Sequence, residues 1–79
     1  MSSLQEIKNA LDHVRQDSTT PRNVKQISAD ILKLLDDPGE ISMKVSKALH
    51  MLEEVTEDTN VDSQTRMQLL SIVSMLSGV

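Results

Sequence analysis

The aliphatic pattern of the first half of the chain returns 41 residues later, and this repeat constrains the fold more than any other feature. Leucine, isoleucine and valine recur at spacings of three and four residues, which predicts helices that each bury one stripe. The matched positions are Leu4 with Val45, Ile7 with Ala48, Leu11 with Leu52, Val14 with Val55, Ile31 with Ile72, and Leu35 with Leu76. The loop that begins at Asp17 returns at Asp58. Each half is therefore predicted to form one helical hairpin.

Four helices are predicted, at about residues 3–16, 21–36, 38–57 and 62–77. Ser2 or Ser3 is expected to cap the first helix, because a serine hydroxyl accepts from a free amide at a helix start. Thr20 is expected to cap the second helix. Pro21 would then be its first residue, where the missing N–H costs nothing.

The junction between the two hairpins carries the strongest turn signal. Pro38 prevents Asp37 from continuing a helix. We therefore expect Asp37 to cap the third helix, with Pro38 as its first residue and Glu40 completing a capping box. Ile41 would begin the buried stripe of that helix.

The predicted fold class is all-α, a compact up-and-down four-helix bundle built from two antiparallel helical hairpins. The connections are short, so neighbouring helices should run antiparallel. A period of 41 residues also lies within the range of HEAT-type repeats, about 40–47 residues, but such arrays need about three repeats to bury a core. A closed bundle is favoured, as a single domain spanning residues 1–79.

Composition excludes several functional classes. The chain has 79 residues, no cysteine, no aromatic residue and a formal net charge of −4. It can form neither disulfides nor thiolate metal sites, and it lacks rings on which bases could stack. Its charge has the wrong sign for phosphate binding, so no nucleic-acid partner is expected. With no apolar run of about 18 residues and no signal-like N-terminus, a cytoplasmic protein without membrane contact is predicted.

The segment from Asp17 to Val24, which reads DSTTPRNV, resembles a motif in a family of small archaeal proteins classed as uncharacterised. In that family a leucine-rich first helix precedes an acidic-Thr-Thr-x-Pro-Arg-Asn-like turn. The segment from Leu52 to Asn60 resembles the second family element, and the likeness extends from about Leu11 to Leu76. The resemblance implies a compact cytoplasmic four-helix bundle of archaeal type and no established activity.

Neither of the two histidines has the sequence spacing that indicates a metal or catalytic site. His13 and His50 lie half a helical turn away from the buried stripes of their helices, and neither has a partner at metal-ligand spacing. An acidic cluster at one end of the bundle is the basis of the alternative function, a ligand- or cation-binding domain. Its members are Asp12, Asp17, Glu53, Glu54, Glu57 and Asp58.

The turn before the second helix is a weaker candidate, for an anion. Ser18 and Thr19 precede a helix N-terminus, and Arg22 and Lys25 lie in its first turns. Helix N-termini attract anions. The turn lacks the glycines that let a backbone wrap around a phosphate, and capping alone explains its hydroxyl residues.

The fourth helix carries a second stripe, opposite its core stripe. Met67, Leu70, Ser74 and Ser77 combine apolar bulk with small residues, which is the surface that a docking helix accepts. Met43 is a further outward methionine, and methionine-bearing surfaces adapt to varied partners. The alternative is a scatter of tolerated surface apolar residues.

These patterns predict a small non-enzymatic protein–protein interaction module, with an unidentified protein or a second copy as its partner. No nucleophile–base pair, glycine-rich phosphate loop, metal spacing or cofactor motif is present. The candidate interaction face is the stripe at Met67, Leu70, Ser74 and Ser77.

Overall fold

Four α-helices connected by short loops make up residues 3–78, the part of the chain that the computed structural model describes. The helices are α1 Leu4–Gln16, α2 Arg22–Asp36, α3 Ile41–Thr56 and α4 Ser63–Ser77. Each helix packs against the next in the chain and α4 packs back against α1, whereas within residues 3–78 the diagonal pairs stay apart. The bundle measures 32 × 20 × 19 Å. The predicted all-α four-helix bundle is confirmed.

The core is aliphatic and follows the predicted stripes. The buried apolar side chains are Ile7, Leu11 and Val14 of α1, Val24, Ile31 and Leu35 of α2, Ala48, Leu52 and Val55 of α3, and Val61, Leu69, Ile72 and Leu76 at α4. Ile41 was expected to be buried but is 43% exposed, because it is the first residue of α3 and projects beyond the end of the core. Thr65 and Ser28 are buried polar members that the apolar pattern does not reveal.

The sequence repeat is also a repeat of loop geometry. In the first loop the carbonyl oxygen of Asp17 accepts from the Thr20 amide at 3.1 Å, and its Oδ1 accepts from the Thr19 amide at 2.9 Å. In the second loop Asp58 accepts from the Val61 amide at 3.2 Å and from the Asn60 amide at 2.9 Å. The two hairpins thus repeat one another, with α1 corresponding to α3 and α2 to α4 at an offset of 41 residues.

The helix starts differ from the prediction at two places. Ser3 caps α1 as expected, accepting from the Glu6 amide at 3.1 Å, and Ser2 lies outside the described residues. At α2, however, Pro21 is the N-cap, because its carbonyl accepts the first intrahelical bond, from the Lys25 amide. Thr20 is therefore one residue outside the cap, and its buried Oγ1 has no hydrogen-bond partner among residues 3–78.

The central junction is a longer loop than predicted. Asp37 ends α2 as its C-cap instead of capping α3, and Glu40 is the N-cap of α3. Pro38 is consequently a loop residue. Gly39 has a φ of +139°, a conformation that excludes a helix through this position and favours glycine.

Candidate functional site

The outer face of α4 contains the predicted interaction residues. Met67 is 70% exposed and Leu70 is 51% exposed. Ser74 and Ser77 are exposed along the same face. The Ser77 hydroxyl donates to the Val73 carbonyl at 3.0 Å, so its polarity is partly satisfied within the helix. We call this surface, formed by the exposed residues from Ser63 to Gly78, the α4 face.

No charged side chain projects from the α4 face. Arg66 is the single charged residue of α4, and it is half-buried. Its guanidinium donates to the carbonyls of Thr56 at 3.0 Å, Asp58 at 2.9 Å and Val61 at 3.2 Å. Arg66 is therefore occupied in tying the second loop to α4 and is turned away from solvent.

The equivalent face of α2 provides an internal comparison. The two helices occupy equivalent places in the two hairpins, so residues 41 apart in sequence lie at equivalent positions. The exposed residues of α4 include Met67, Leu70, Ser71, Ser74 and Ser77. The residues of α2 at the equivalent positions are Gln26, Ala29, Asp30, Lys33 and Asp36, in the same order. The same structural position is charged on one side of the bundle and uncharged on the other.

The grooves on either side of α4 are uncharged as well, apart from one histidine. The groove between α3 and α4 has a volume of about 420 Å³ and is lined by Ile41, Ser42, Val45, Leu49, Leu76 and Ser77. The groove between α1 and α4, of about 230 Å³, is lined by Ala10, His13, Val14, Gln68, Ser71 and Ile72. By contrast, the α2–α3 groove is lined by Asp30, Lys33, Leu34, Asp37, Lys47 and Met51.

Met43 does not belong to the α4 face. It is 69% exposed, as its outward position in the helix predicts. Its neighbours in a surface groove are Pro38, Lys44 and Lys47, on the α2–α3 side of the bundle. The ammonium group of Lys44 donates to the Asp37 carbonyl there and closes the α2 C-terminus. Met43 is thus surrounded by charge and is separate from the predicted interaction stripe.

In the candidate anion-binding turn, one of the four predicted residues, Thr19, binds a carboxylate of the chain itself. Ser18, Thr19 and Arg22 are exposed and Lys25 is half-buried. Asp17 Oδ1 accepts from both the amide of Thr19, at 2.9 Å, and its hydroxyl, at 2.7 Å. These bonds, the backbone one foremost, hold the pKa of Asp17 below its ordinary value of 3.8. Both hydrogen-bond donors of Thr19 are therefore engaged by Asp17.

The acidic residues at the same end are dispersed among separate partners. Asp12 accepts from the Arg15 guanidinium and from Gln16, and the hydrogen bond with Arg15 lowers the Asp12 pKa most. Asp58 accepts from Asn60 and, across the bundle end, from the Asn23 amide at 3.1 Å. Within the described part of the chain, no group of three or more histidine, aspartate or glutamate side chains is placed to hold a metal ion.

Both histidines lie on the surface, in agreement with their predicted helical positions. His13 is exposed at the edge of the α1–α4 groove. His50 Nε2 lies 3.3 Å from Glu54 Oε1, with both side chains more than half exposed. Among residues 3–78, no helix combines the length and the apolar composition that crossing a bilayer requires.

Comparison with known proteins places the chain among archaeal relatives. A family model described as "Uncharacterised protein family (UPF0147)" matches residues 1–79. A UPF0147 protein from Archaeoglobus fulgidus is 29% identical over 96% of this chain and 87% of its own length. One from Thermoplasma volcanium is 33% identical over 94% of this chain and 84% of its own length.

A solved structure shares the fold. The crystal structure of a protein from uncharacterized family UPF0147 from Thermoplasma acidophilum has a TM-score of 0.91 to this chain and 31% sequence identity. The match covers 94% of this chain and 88% of that one. The resemblance found in the first loop is thereby confirmed over nearly the whole chain.

Proposed function

The chain belongs to the uncharacterised family UPF0147, and from that premise we propose that it is a small non-enzymatic protein–protein interaction module of the cytoplasm. The function of the family is unknown, so the proposal is argued from the surface of this chain. The observation that carries it is the absence of charge from the α4 face, in contrast to the charged residues at the equivalent positions of α2.

The physical reason is the free energy of removing a surface from water. A charged side chain loses strong hydration when it is covered, whereas an exposed methionine or leucine gains free energy on burial. The centres of protein interfaces are accordingly depleted in charge and enriched in methionine. Met67 and Leu70 at the middle of an uncharged helix face fit that composition.

The extent of the uncharged surface argues against a tolerated scatter of apolar residues. Single exposed apolar side chains are normal on soluble proteins and need no explanation. Here the absence of charge extends along the exposed residues of α4 and into the linings of both flanking grooves, where His13 is the one ionisable side chain. In a chain that is 25% charged, the exposed residues of α4 and the linings of the two grooves beside it include no Asp, Glu, Lys or Arg.

A non-enzymatic role is supported by what those grooves contain. A catalytic site needs convergent polar groups in a cleft, with shifted titration where protons move. The lowered pKa values of Asp12 and Asp17 arise from surface hydrogen bonds within α1 and the first loop. Of the carboxylates considered for a cation, Asp17 and Asp58 accept hydrogen bonds within the two loops, and Asp12 accepts from Arg15 and Gln16 within α1. A cytoplasmic location fits a chain that has no cysteine and needs no oxidising compartment.

A photo-crosslinking amino acid placed at Met67 tests the proposal, with the same group at Gln26 as the matched control. Both positions are exposed, and they are equivalent in the two hairpins. The labelled proteins are irradiated in an extract of the source cells, and adducts are read by mass spectrometry. Defined protein adducts, whether to another protein or to a second copy, are expected from position 67 and not from position 26. Equal labelling, or none from position 67, would refute the proposal.

A further inference from the structure

We propose that the partner of the α4 face is a second copy of this chain, bound through antiparallel pairing of the two α4 helices about a twofold axis. This inference rests on the proposed function, since it names the occupant of the same surface. Three features of the structure carry it: the distribution of charge, the order of large and small residues along α4, and the area that the face offers.

Charge excludes the alternative of a strongly charged partner. Charged partners are selected and oriented by opposite charges across the interface. The α4 face has neither a carboxylate to attract a basic surface nor a free cation to attract an acidic one. Its complement is another uncharged apolar face. With a formal net charge of −4, two copies of this chain repel over most orientations, and the α4 face is the side where they can meet without opposing like charges.

The order of residues along α4 is self-complementary when the helix is reversed. The larger residues lie in its first half and the small ones in its second half. An antiparallel pair centred between Leu70 and Ser71 therefore places each large residue opposite a small one of the second copy. The opposed pairs are Met67 with Ser74, Leu70 with Ser71, and Gln64 with Ser77.

A parallel pair would lose this fit. It would place Met67 against Met67 and Ser74 against Ser74, which holds the helices apart at one end and leaves a void at the other. Voids and overpacking both weaken an interface, because packed protein surfaces approach the density of an interior. Both pairings can close about a twofold axis, as most homodimers do, so the fit of large against small residues decides between them.

The available area suits a weak dimer. Fifteen residues at 1.5 Å each make α4 about 22 Å long. The face and its two grooves extend across one side of a bundle that is 20 × 19 Å in cross-section. Covering it on both copies buries on the order of 1,000 Å² in total, the lower limit for a specific interface. The dimer should form reversibly and depend on concentration.

Sedimentation equilibrium of the full chain tests the self-association. The wild type is expected to approach twice its monomer mass of 8.8 kDa as its concentration rises to about 1 mM. Leu70→Glu and Met67→Glu, each checked for unchanged helicity by circular dichroism, should weaken the dimer at least tenfold. Gln26→Glu, the matched change on α2, should leave it unchanged. A wild type that stays monomeric, or equal weakening by Gln26→Glu, overturns the inference.

The absence of cysteine from the natural chain allows a clean test of the antiparallel geometry. Gln64→Cys and Ser77→Cys are prepared as separate proteins and oxidised alone or mixed. The antiparallel pair predicts disulfides in the mixture and few in either protein alone, because equal positions lie about 20 Å apart across the axis. Disulfides that join two copies of the same variant, when each variant is oxidised alone, would establish a parallel pair and contradict the inference.

The outcomes also separate this inference from the proposed function. A monomeric chain that still crosslinks from position 67 to a different protein would overturn self-association and leave the interaction module standing. A monomeric chain with no adduct from position 67 would overturn both.

Discussion

The buried hydroxyl of Thr20 provides the sharpest test of how the loops are built. Thr20 is only 5% exposed, and in the described part of the chain its Oγ1 has no hydrogen-bond partner. At the equivalent place in the second loop the chain has Val61, which is 3% exposed and has nearly the same shape. Thr20→Val therefore places in the first loop the residue that the second loop has at the equivalent position.

The expected effect is a gain in stability. Leaving a buried hydroxyl unpaired costs about 1–3 kcal/mol, and valine removes that cost while keeping almost the same volume. We expect Thr20→Val to raise the free energy of unfolding by about 1–2 kcal/mol. For a domain of this size, each 1 kcal/mol corresponds to a rise in Tm of about 4–8 °C. Urea titration and thermal melting, both followed by circular dichroism, measure the two quantities.

The opposite sign is expected if Thr20 caps α2, as the sequence pattern alone suggests. Loss of a threonine cap costs about 1 kcal/mol. The reverse substitution, Val61→Thr, is the control: it should bury a new unpaired hydroxyl and destabilise the protein by about 1–3 kcal/mol. A stability loss in Thr20→Val, or no loss in Val61→Thr, would refute the assignment of Pro21 as the N-cap and the equivalence of the two loops.

Three further substitutions test other parts of the structure. Arg66→Lys should lower the free energy of unfolding by about 1–3 kcal/mol in urea titration, because the single nitrogen of an ammonium group cannot span the carbonyls of Thr56, Asp58 and Val61 as the forked guanidinium does; an unchanged midpoint would contradict that role. Ser28→Ala should be neutral or stabilising by up to about 1 kcal/mol, since its fully buried hydroxyl has no hydrogen-bond partner within the residues that the structure describes; a clear loss of Tm would reveal one. Asp17 has a lowered pKa in the folded protein, so its hydrogen bonds stabilise the fold above its ordinary pKa of 3.8 and are lost as the pH falls through the lower folded value. Asp17→Asn should consequently reduce the drop in Tm between about pH 5 and about pH 2, and an identical acid profile would contradict this account.

The helices and their buried faces could be predicted because their signal is local. Spacings of three and four residues report which side of a helix avoids water, so Ile7, Leu52 and Ile72 were correctly assigned to the core. The helix starts carry a weaker signal. A proline fits both the first turn of a helix and the loop before it. Pro38 lies in the loop because the positive φ of Gly39 prevents a helix from running through these two residues. The spacing of apolar residues also does not show where the core ends. Ile41 is therefore predicted to be buried, although it is 43% exposed at the start of α3.

The candidate site was predictable only in part. The outward orientation of Met67 and Leu70 follows from their phase on α4. The extent of the uncharged surface depends on which residues of α1 and α3 flank that helix, and this requires the bundle geometry. One signal was nevertheless present in the sequence: comparing the two halves at an offset of 41 shows that the charges of α2 are missing from α4. The engagement of Asp17 by Thr19 could not be foreseen, because several side chains compete for the same amides in such loops.

Nuclear magnetic resonance at increasing protein concentration tests the role of the α4 face most directly. Amide resonances are compared between dilute protein and about 1 mM protein, at residues 63–78 and at their α2 equivalents, 22–37. The account predicts concentration-dependent shifts centred on Leu70 and Ser71, with the α2 resonances unchanged. Shifts confined to α2, or spectra that do not change at any concentration, would contradict the assignment of the α4 face as the surface through which this chain binds its own copy.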